Sequence, residues 1–250
     1  MVVEISDWND LDNVRNDLTG DYVLVNDLDE NTDGYAGIGD DFDPIGDGSN
    51  VFTGTFDGQG HVISDLIIDK STDRVSLFAR LDDPGATISD LGVVGDVTNH
   101  STDSYTAGLV GQIFSDGIIE NCFVSVDVSS NGDDVAGLVG SNNGSIKNCY
   151  VLGNVNGDED VGGMCGRNPS GTIETSYSAA SVSGNNSVGG FVADGNEEIG
   201  CYWDTETSGQ STSEGDATGL TTSEMQGSEA ETNMDGFDFA NVWETVKEGD

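Results

Sequence analysis

Carboxylates dominate the chemistry this chain can offer: 47 Asp and Glu stand against seven Lys and Arg and two His. Two suitably placed carboxylates are all that hydrolysis of a glycosidic bond strictly needs, so a polysaccharide-active enzyme is the catalytic reading to weigh. A uronate lyase is less credible, because it requires cations to neutralise the sugar carboxylate. Lys147, Arg167, Arg74 and Arg80 form no column of cations along the chain. Acidic turns such as Asp133-Asp134 and Asp158-Glu159-Asp160 match no calcium-loop spacing, and solvated turn acids are expected there. Cys122, Cys149, Cys165 and Cys201 fit no metal-ligand spacing. His61 directly follows the turn Asp57-Gly58-Gln59-Gly60, which reads as a hairpin, and a structural role is expected for it. No cofactor, metal or catalytic residue is expected.

The elements that position these groups repeat. The chain reads AGLVG at Ala107–Gly111, AGLVG at Ala136–Gly140, GGMCG at Gly162–Gly166 and a worn GGFVA at Gly189–Ala193. Between them lie segments opened by Ile119, Ile146 and Ile173, a period of 27 residues. A Gly-rich repeat of that length with alternating apolar residues reads as one turn of a β-solenoid. Ile88 and Ile63 open looser copies, and Asn99–Ser104 falls in a turn as an insertion. An all-β solenoid of about five to six coils is therefore expected. Residues 1–50 are read as N-terminal cap and first strand, 51–203 as coils, and 204–250 as C-terminal loop and cap.

Period-2 alternation assigns faces. Cys122, Val124, Val126 and Val128 point inward, with Cys149, Val151 and Val155 and with Leu91, Val93 and Val97. Cys122 and Cys149 fall on neighbouring rungs, close enough for a disulfide, yet Leu91 and Ser176 share their position, which favours buried free thiols. Asn121 and Asn148 align, with Asp90 and Asp65 before and Thr175 after, as a hydrogen-bonding corner stack. Glu120, Lys147 and Glu174 also align. Phe123, Tyr150 and Tyr177, with Tyr202 close to phase, form an outer aromatic column. It could bind sugar rings or dock a partner; the alternative is that a loop or the C-terminal tail covers it. Gly108, Gly137, Gly163 and Gly190 share one position where either a positive φ or close coil approach forbids a Cβ; Ser76 holds that place in the first coil, which suggests that close approach is the stricter demand there.

The ends differ. Ser6 or Asp7 can cap a helix with Trp8, Leu11, Val14 and Leu18 on one face and Gly20 at its end. A lid there would cover the open core and strand edges of a solenoid end. Beyond Trp203 the repeat fails; residues 220–226 read as a short capped helix, and Phe237, Phe239, Val242 and Trp243 as an apolar strip that seals the far end or lies along a side.

A net charge of −40 reads as adaptation to very high salt, where repulsion is screened within about 3 Å at 1 M; a basic partner is the alternative. Nucleic acid is excluded as a partner by the lack of a basic patch. No apolar run is long enough to cross a bilayer, so no membrane insertion is expected. The start has no signal-peptide character: either a leader has been removed or the chain assembles inside the cell, and Met1 favours the second.

These residues resemble the GLUG-motif repeat family, named for the GLVG core seen at Gly108–Gly111 and Gly137–Gly140. Residues 42–66, 201–209, 220–226 and 236–243 look like the flanking signatures of that family. The resemblance implies a right-handed parallel β-helix used in large bacterial and archaeal surface proteins, adhesins and some secreted proteases, with the repeats as display scaffold. Such chains usually carry a leader and further domains, which this sequence does not display. The expected function is a non-catalytic structural or adhesion module of an extreme halophile or its virus, on a virion surface (spike, turret or tail fibre) or extracellular on the cell surface. Expected partners are other structural proteins of the virion or envelope and a host surface glycoprotein or glycan. The glycoside hydrolase or lyase remains the alternative.

Overall fold

The computed structural model describes residues 1–102 and 104–244. The strands are short, and each pairs in parallel with strands one lap away along the chain. Every lap visits four sheets in turn. The first complete lap uses Thr55–Asp57 in sheet 1, Val62–Lys70 in sheet 2, Arg74–Val75 in sheet 3 and Phe78–Asp82 in sheet 4. Sheets 3 and 4 hold five strands each, so the molecule is a parallel β-helix of five complete laps.

The register confirms the columns. Ile88, Ile119, Ile146 and Ile173 are successive partners in sheet 1, and none is exposed to solvent. Val93, Val124 and Val151 stack likewise in sheet 2, beside Val97, Val128 and Val155. Burying each such side chain stabilises the fold by about 1.5–3 kcal/mol. Ile63, however, is not in the isoleucine column. Phe56 occupies the place above Ile88, and Ile63 pairs with Val93 in sheet 2. A register shift between Ile63 and Leu66 inserts Ser64 and Asp65 as a bulge. The bulge also takes Asp65 out of the corner stack; its carboxylate instead accepts the Glu30 backbone N–H at 3.1 Å. Residues 57–60 turn the chain from sheet 1 into sheet 2, and the flanking strands do not pair, so this is a solenoid corner and not a hairpin.

Residues 1–50 do more than cap. Val2–Ile5 and Asp21–Leu24 extend sheet 1. Leu28 bridges to Ile63, Ile45 to Phe78 and Phe52 to Leu81, so the acidic loop is an irregular lap whose anchors are single residues. The helix Trp8–Asn13 is capped by Asp7, which accepts the Asp10 N–H at 2.8 Å. It buries Trp8 and Leu11 over the open end, with Val14 in the following turn. At the other end, residues 205–219 fold back: Thr212 accepts from Gly190 N, Ser213 from Val192 N and Gln210 from Trp203 Nε1.

Gly108, Gly137, Gly163 and Gly190 all have ordinary negative-φ or extended backbone, so conformational freedom is not why they are glycine. A Cβ on Gly137 would lie 2.7 Å from the Gly163 carbonyl oxygen and collide with Val151. The laps approach because Gly137 N donates to Gly163 O at 3.0 Å and Gly108 N to Gly137 O at 2.8 Å. In the first lap the corner from Val75 to Phe78 is one residue shorter than that from Thr106 to Val110, so Ser76 is not the counterpart of these glycines.

All four cysteines are free and buried. Burial pushes the Cys201 thiol up to about 12 and the Cys122 and Cys165 thiols well above their ordinary value. Because the thiolate is the reactive form, none of the four should react with Ellman's reagent in the folded protein, and all four should react once it is unfolded. Rapid labelling of even one in the native state would contradict this packing.

Candidate functional site

Sheet 2 shows its outer side between the valine columns. Phe123, Tyr150, Tyr177 and Tyr202 are direct partners on successive rungs. Phe123 and Tyr150 stack at 5.1 Å and 8°, Tyr150 and Tyr177 at 5.3 Å and 4°. Gly92 precedes Phe123 in the column, and its missing side chain makes room for the phenyl ring. The column points away from the core, as alternation requires, but it is not bare. The C-terminal strip lies along this side: Trp243 sits 6.1 Å from Tyr150 and 5.6 Å from Tyr177, and Phe237 packs on Trp243 at 4.7 Å. Tyr202 is buried against Phe237 and donates its hydroxyl to the Asp235 carbonyl at 3.0 Å. The strip is held by the turn Thr222–Met225, closed by a capping box from Thr221 and Glu224, and by the helix Gly227–Asn233. Burial raises the Tyr150 phenol and, more strongly, the Tyr177 phenol above the usual range.

Beside the rings runs the corner stack. Asn121 Nδ2 donates to Asp90 Oδ1 at 3.1 Å, Asn148 Nδ2 to Asn121 Oδ1 at 3.1 Å and Thr175 Oγ1 to Asn148 Oδ1 at 2.6 Å. Asp90, Asn121, Asn148 and Thr175 all have left-handed backbone, φ 52, 54, 52 and 43. Asn and Asp tolerate that region; Thr175, β-branched, is held there with the help of its bond to Asn148. Lys147 pairs with Glu174 at 3.4 Å, as the aligned charges imply.

Two hollows follow. One, of about 160 Å³, lies under the C-terminal strip, against Leu152, Tyr177, Met225, Met234 and Phe237. The other, of about 640 Å³, is an open groove between the Asp90–Asn121–Asn148 corner on one side and Trp243 on the other, floored by Phe123 and Tyr150.

A second left-handed column was not foreseen. Asp134, Asp160 and Ser187 each stand three residues before Gly137, Gly163 and Gly190, with φ 53, 50 and 46. That fixed offset was the available signal. Arg167 Nε lies 3.6 Å from Asp134 and Asp160 and 3.4 Å from Asp194. Asp134 Oδ1 is buried without a hydrogen bond. Arg167 draws Asp134 toward ionisation, yet burial, with Asp160, Asp133 and Asp194 adding to it, wins and lifts its carboxyl to about 7. A carboxyl that holds its proton more tightly in the fold stabilises most at low pH, and that contribution is lost as pH rises from about 4 through 7. Asp134→Asn should remove this slope and raise stability above pH 7 by about 1–3 kcal/mol. Melts at pH 5 and pH 8 check it; an unchanged pH dependence would mean that Asp134 is ionised throughout.

Among the described residues no group of three or more His, Cys, Asp or Glu side chains is arranged to hold a metal ion, and no helix is long and apolar enough to cross a membrane.

The sequence profile of the GLUG motif matches residues 102–129 and 131–156, each of which holds one passage through the glycine corner and one stacked Ile–Asn–Cys–aromatic segment. This chain is a parallel β-helix with two matches to the GLUG motif. Over 147 residues, 55% of the chain, it is 32% identical to Halomucin of Haloquadratum walsbyi. The chain spans about 2% of the length of that relative. The chain superposes on the crystal structure of a Bacteroides ovatus protein provisionally named an immunoglobulin A1 protease, with TM-score 0.59 and 19% identity over 93% of this chain and 87% of that one. At that identity the likeness is one of fold.

Proposed function

We propose that this protein is a non-catalytic display module: an acidic, high-salt β-helix on a virion (spike, turret or tail fibre) or on the cell envelope of a halophile, mediating attachment or assembly. The observation that carries this reading is the continuous in-phase stacking of five laps, which makes a stiff rod. The likeness to Halomucin, from a halophile, and the GLUG coils support it. The six cations among the described residues each lie on an acid or a ring: Arg15 on Asp12, Lys70 on Asp41 and Asp43, Arg74 on Tyr105, Arg80 on Asp82, Lys147 on Glu174 and Arg167 on three carboxylates. With those cations paired and a net charge of −40, acids dominate the outer surface, which suits a projecting body that must stay hydrated in brine. Partners under this reading are structural proteins of the virion or envelope and a host glycoprotein or glycan.

One observation favours the polysaccharide-cleaving alternative: Asp134 and Asp160 sit on adjacent rungs, and burial lifts the Asp134 carboxyl to about 7. Its side chain is only 7% exposed, however, so a glycosidic oxygen cannot reach it in this conformation. Fractionation with an antibody to the protein tests the main reading. Enrichment in purified virions or envelopes is expected; recovery in a soluble cytosolic fraction that releases reducing ends from polysaccharide would overturn it.

A further inference from the structure

We infer that the groove between the Asp90–Asn121–Asn148 corner and Trp243 binds an uncharged polysaccharide, its pyranose units running parallel to the helix axis at one unit per rung. This names a ligand class for the attachment reading above and rests on it. The groove, at about 640 Å³, is within the range of small-ligand sites.

Its chemistry is graded across the axis and repeated along it. On one wall each rung presents a side-chain amide or carboxylate: Asp90, Asn121, Asn148. The stack uses one N–H of each amide, and each keeps a second N–H and further acceptor capacity. Paired donors and acceptors on one small group match the vicinal hydroxyls of a sugar. On the floor are Phe123 and Tyr150, with Tyr177 at the end. Neither the Tyr150 nor the Tyr177 hydroxyl has a hydrogen bond within the described residues. Each therefore retains a donor and an acceptor for a ligand. The stacked rings cover one another's faces, so a ligand meets their edges. Trp243, tilted 59° and 56° to Tyr150 and Tyr177, stands across the stack as the opposite wall. Apolar ring surface opposed by polar amides is what a pyranose, with apolar C–H faces and a hydroxyl rim, requires.

Period and charge narrow the class. Rungs lie about 4.8 Å apart, close to the length of one pyranose unit in an extended chain, so the same contacts recur for each sugar. Asp90 and Glu244 are the charged groups of the lining, which includes no Lys or Arg, and the molecule carries −40. A uronate, sulfated sugar or polynucleotide would find no cation in the groove to pair with and would place its own charges against Asp90 and Glu244. An extended peptide would find side chains here but no free backbone edge on which to add a strand.

The test uses the full chain in molar KCl, with titration calorimetry against neutral hexasaccharides of β-1,4-glucose, β-1,4-N-acetylglucosamine, β-1,4-mannose and α-1,4-glucose, and hexagalacturonate as the anionic probe. At least one neutral hexamer should bind and hexagalacturonate should not. Asn121→Gly with Asn148→Gly removes both amides where the left-handed backbone suits glycine, and should weaken binding by more than about tenfold with an unchanged circular dichroism spectrum. Tyr150→Phe, which keeps the ring stack, should weaken it by about threefold. Binding by no neutral hexamer, equal binding of hexagalacturonate, or wild-type affinity in the folded double variant would each overturn the assignment. Absence of sugar binding with the protein still on virions or envelopes defeats the glycan assignment alone; sugar binding by a protein confined to the cytosol defeats the display reading alone.

Discussion

Transfer from molar KCl to about 0.1 M salt should lower the unfolding midpoint of this protein by more than about 10 °C. The Debye length grows from about 3 Å to about 10 Å over that change, which exceeds the spacing of rungs along the axis. Acids on neighbouring laps then repel, and the net charge of −40 leaves few cations to offset them. Even ~0.1 kcal/mol per excess charge sums to ~4 kcal/mol, a large share of the stability of an ordinary domain. For a chain of this size each kcal/mol moves the midpoint by about 2–4 °C. Melts followed by circular dichroism across a KCl series give the answer. A flat series would mean that the acids serve a basic partner and not the solvent.

The second large effect is expected at the glycine corner. Gly137→Ala should destabilise the fold by about 3 kcal/mol, the upper part of the range for overpacking. The added methyl has nowhere to go. It would stand 2.7 Å from the Gly163 carbonyl, which is itself bonded to Gly137 N, and against the Val151 side chain of the core. Relief would require separating two laps and lengthening that bond. Gly85→Ala is the control: there the methyl meets only the Asp83 carboxylate, at 3.2 Å, and a change within about 0.5 kcal/mol is expected for such a surface site. Chemical denaturation of both variants decides it. Equal stability of Gly137→Ala and wild type would show that the laps can part without cost.

Much of the fold was legible because one lap is nearly the next. The 27-residue interval among Ile119, Ile146 and Ile173 set the register, and alternation from Cys122 to Val128 set the faces. Legibility failed where a lap departs from that length. The bulge at Ser64 and Asp65 moved Ile63 into sheet 2 and put Phe56 in the isoleucine column. The lap before it was hidden because it touches the stack through the lone bridges of Leu28, Ile45 and Phe52, which have no periodicity. For the candidate site, the partners Phe123, Tyr150, Tyr177 and Tyr202 followed from position alone. That Phe237 and Trp243 would lie on them did not, since a tail of unrepeated sequence can fold toward the end or the side with equal local propensity. The Asp134–Arg167 cluster depends on how the corner between sheets 3 and 4 closes, and pairwise spacing along the chain does not report that.

The in-phase register has a consequence for growth. Each lap pairs only with its two neighbours, so duplicating or deleting one 27-residue unit such as 119–145 leaves the backbone pairing of the remaining laps with equivalent partners. A lineage can therefore lengthen or shorten this rod in steps of about 4.8 Å by unequal recombination between copies. The same event adds or removes one rung of amide and ring from the groove. Under the glycan assignment, reach and the number of sugars gripped would then change together, as notches on one ruler.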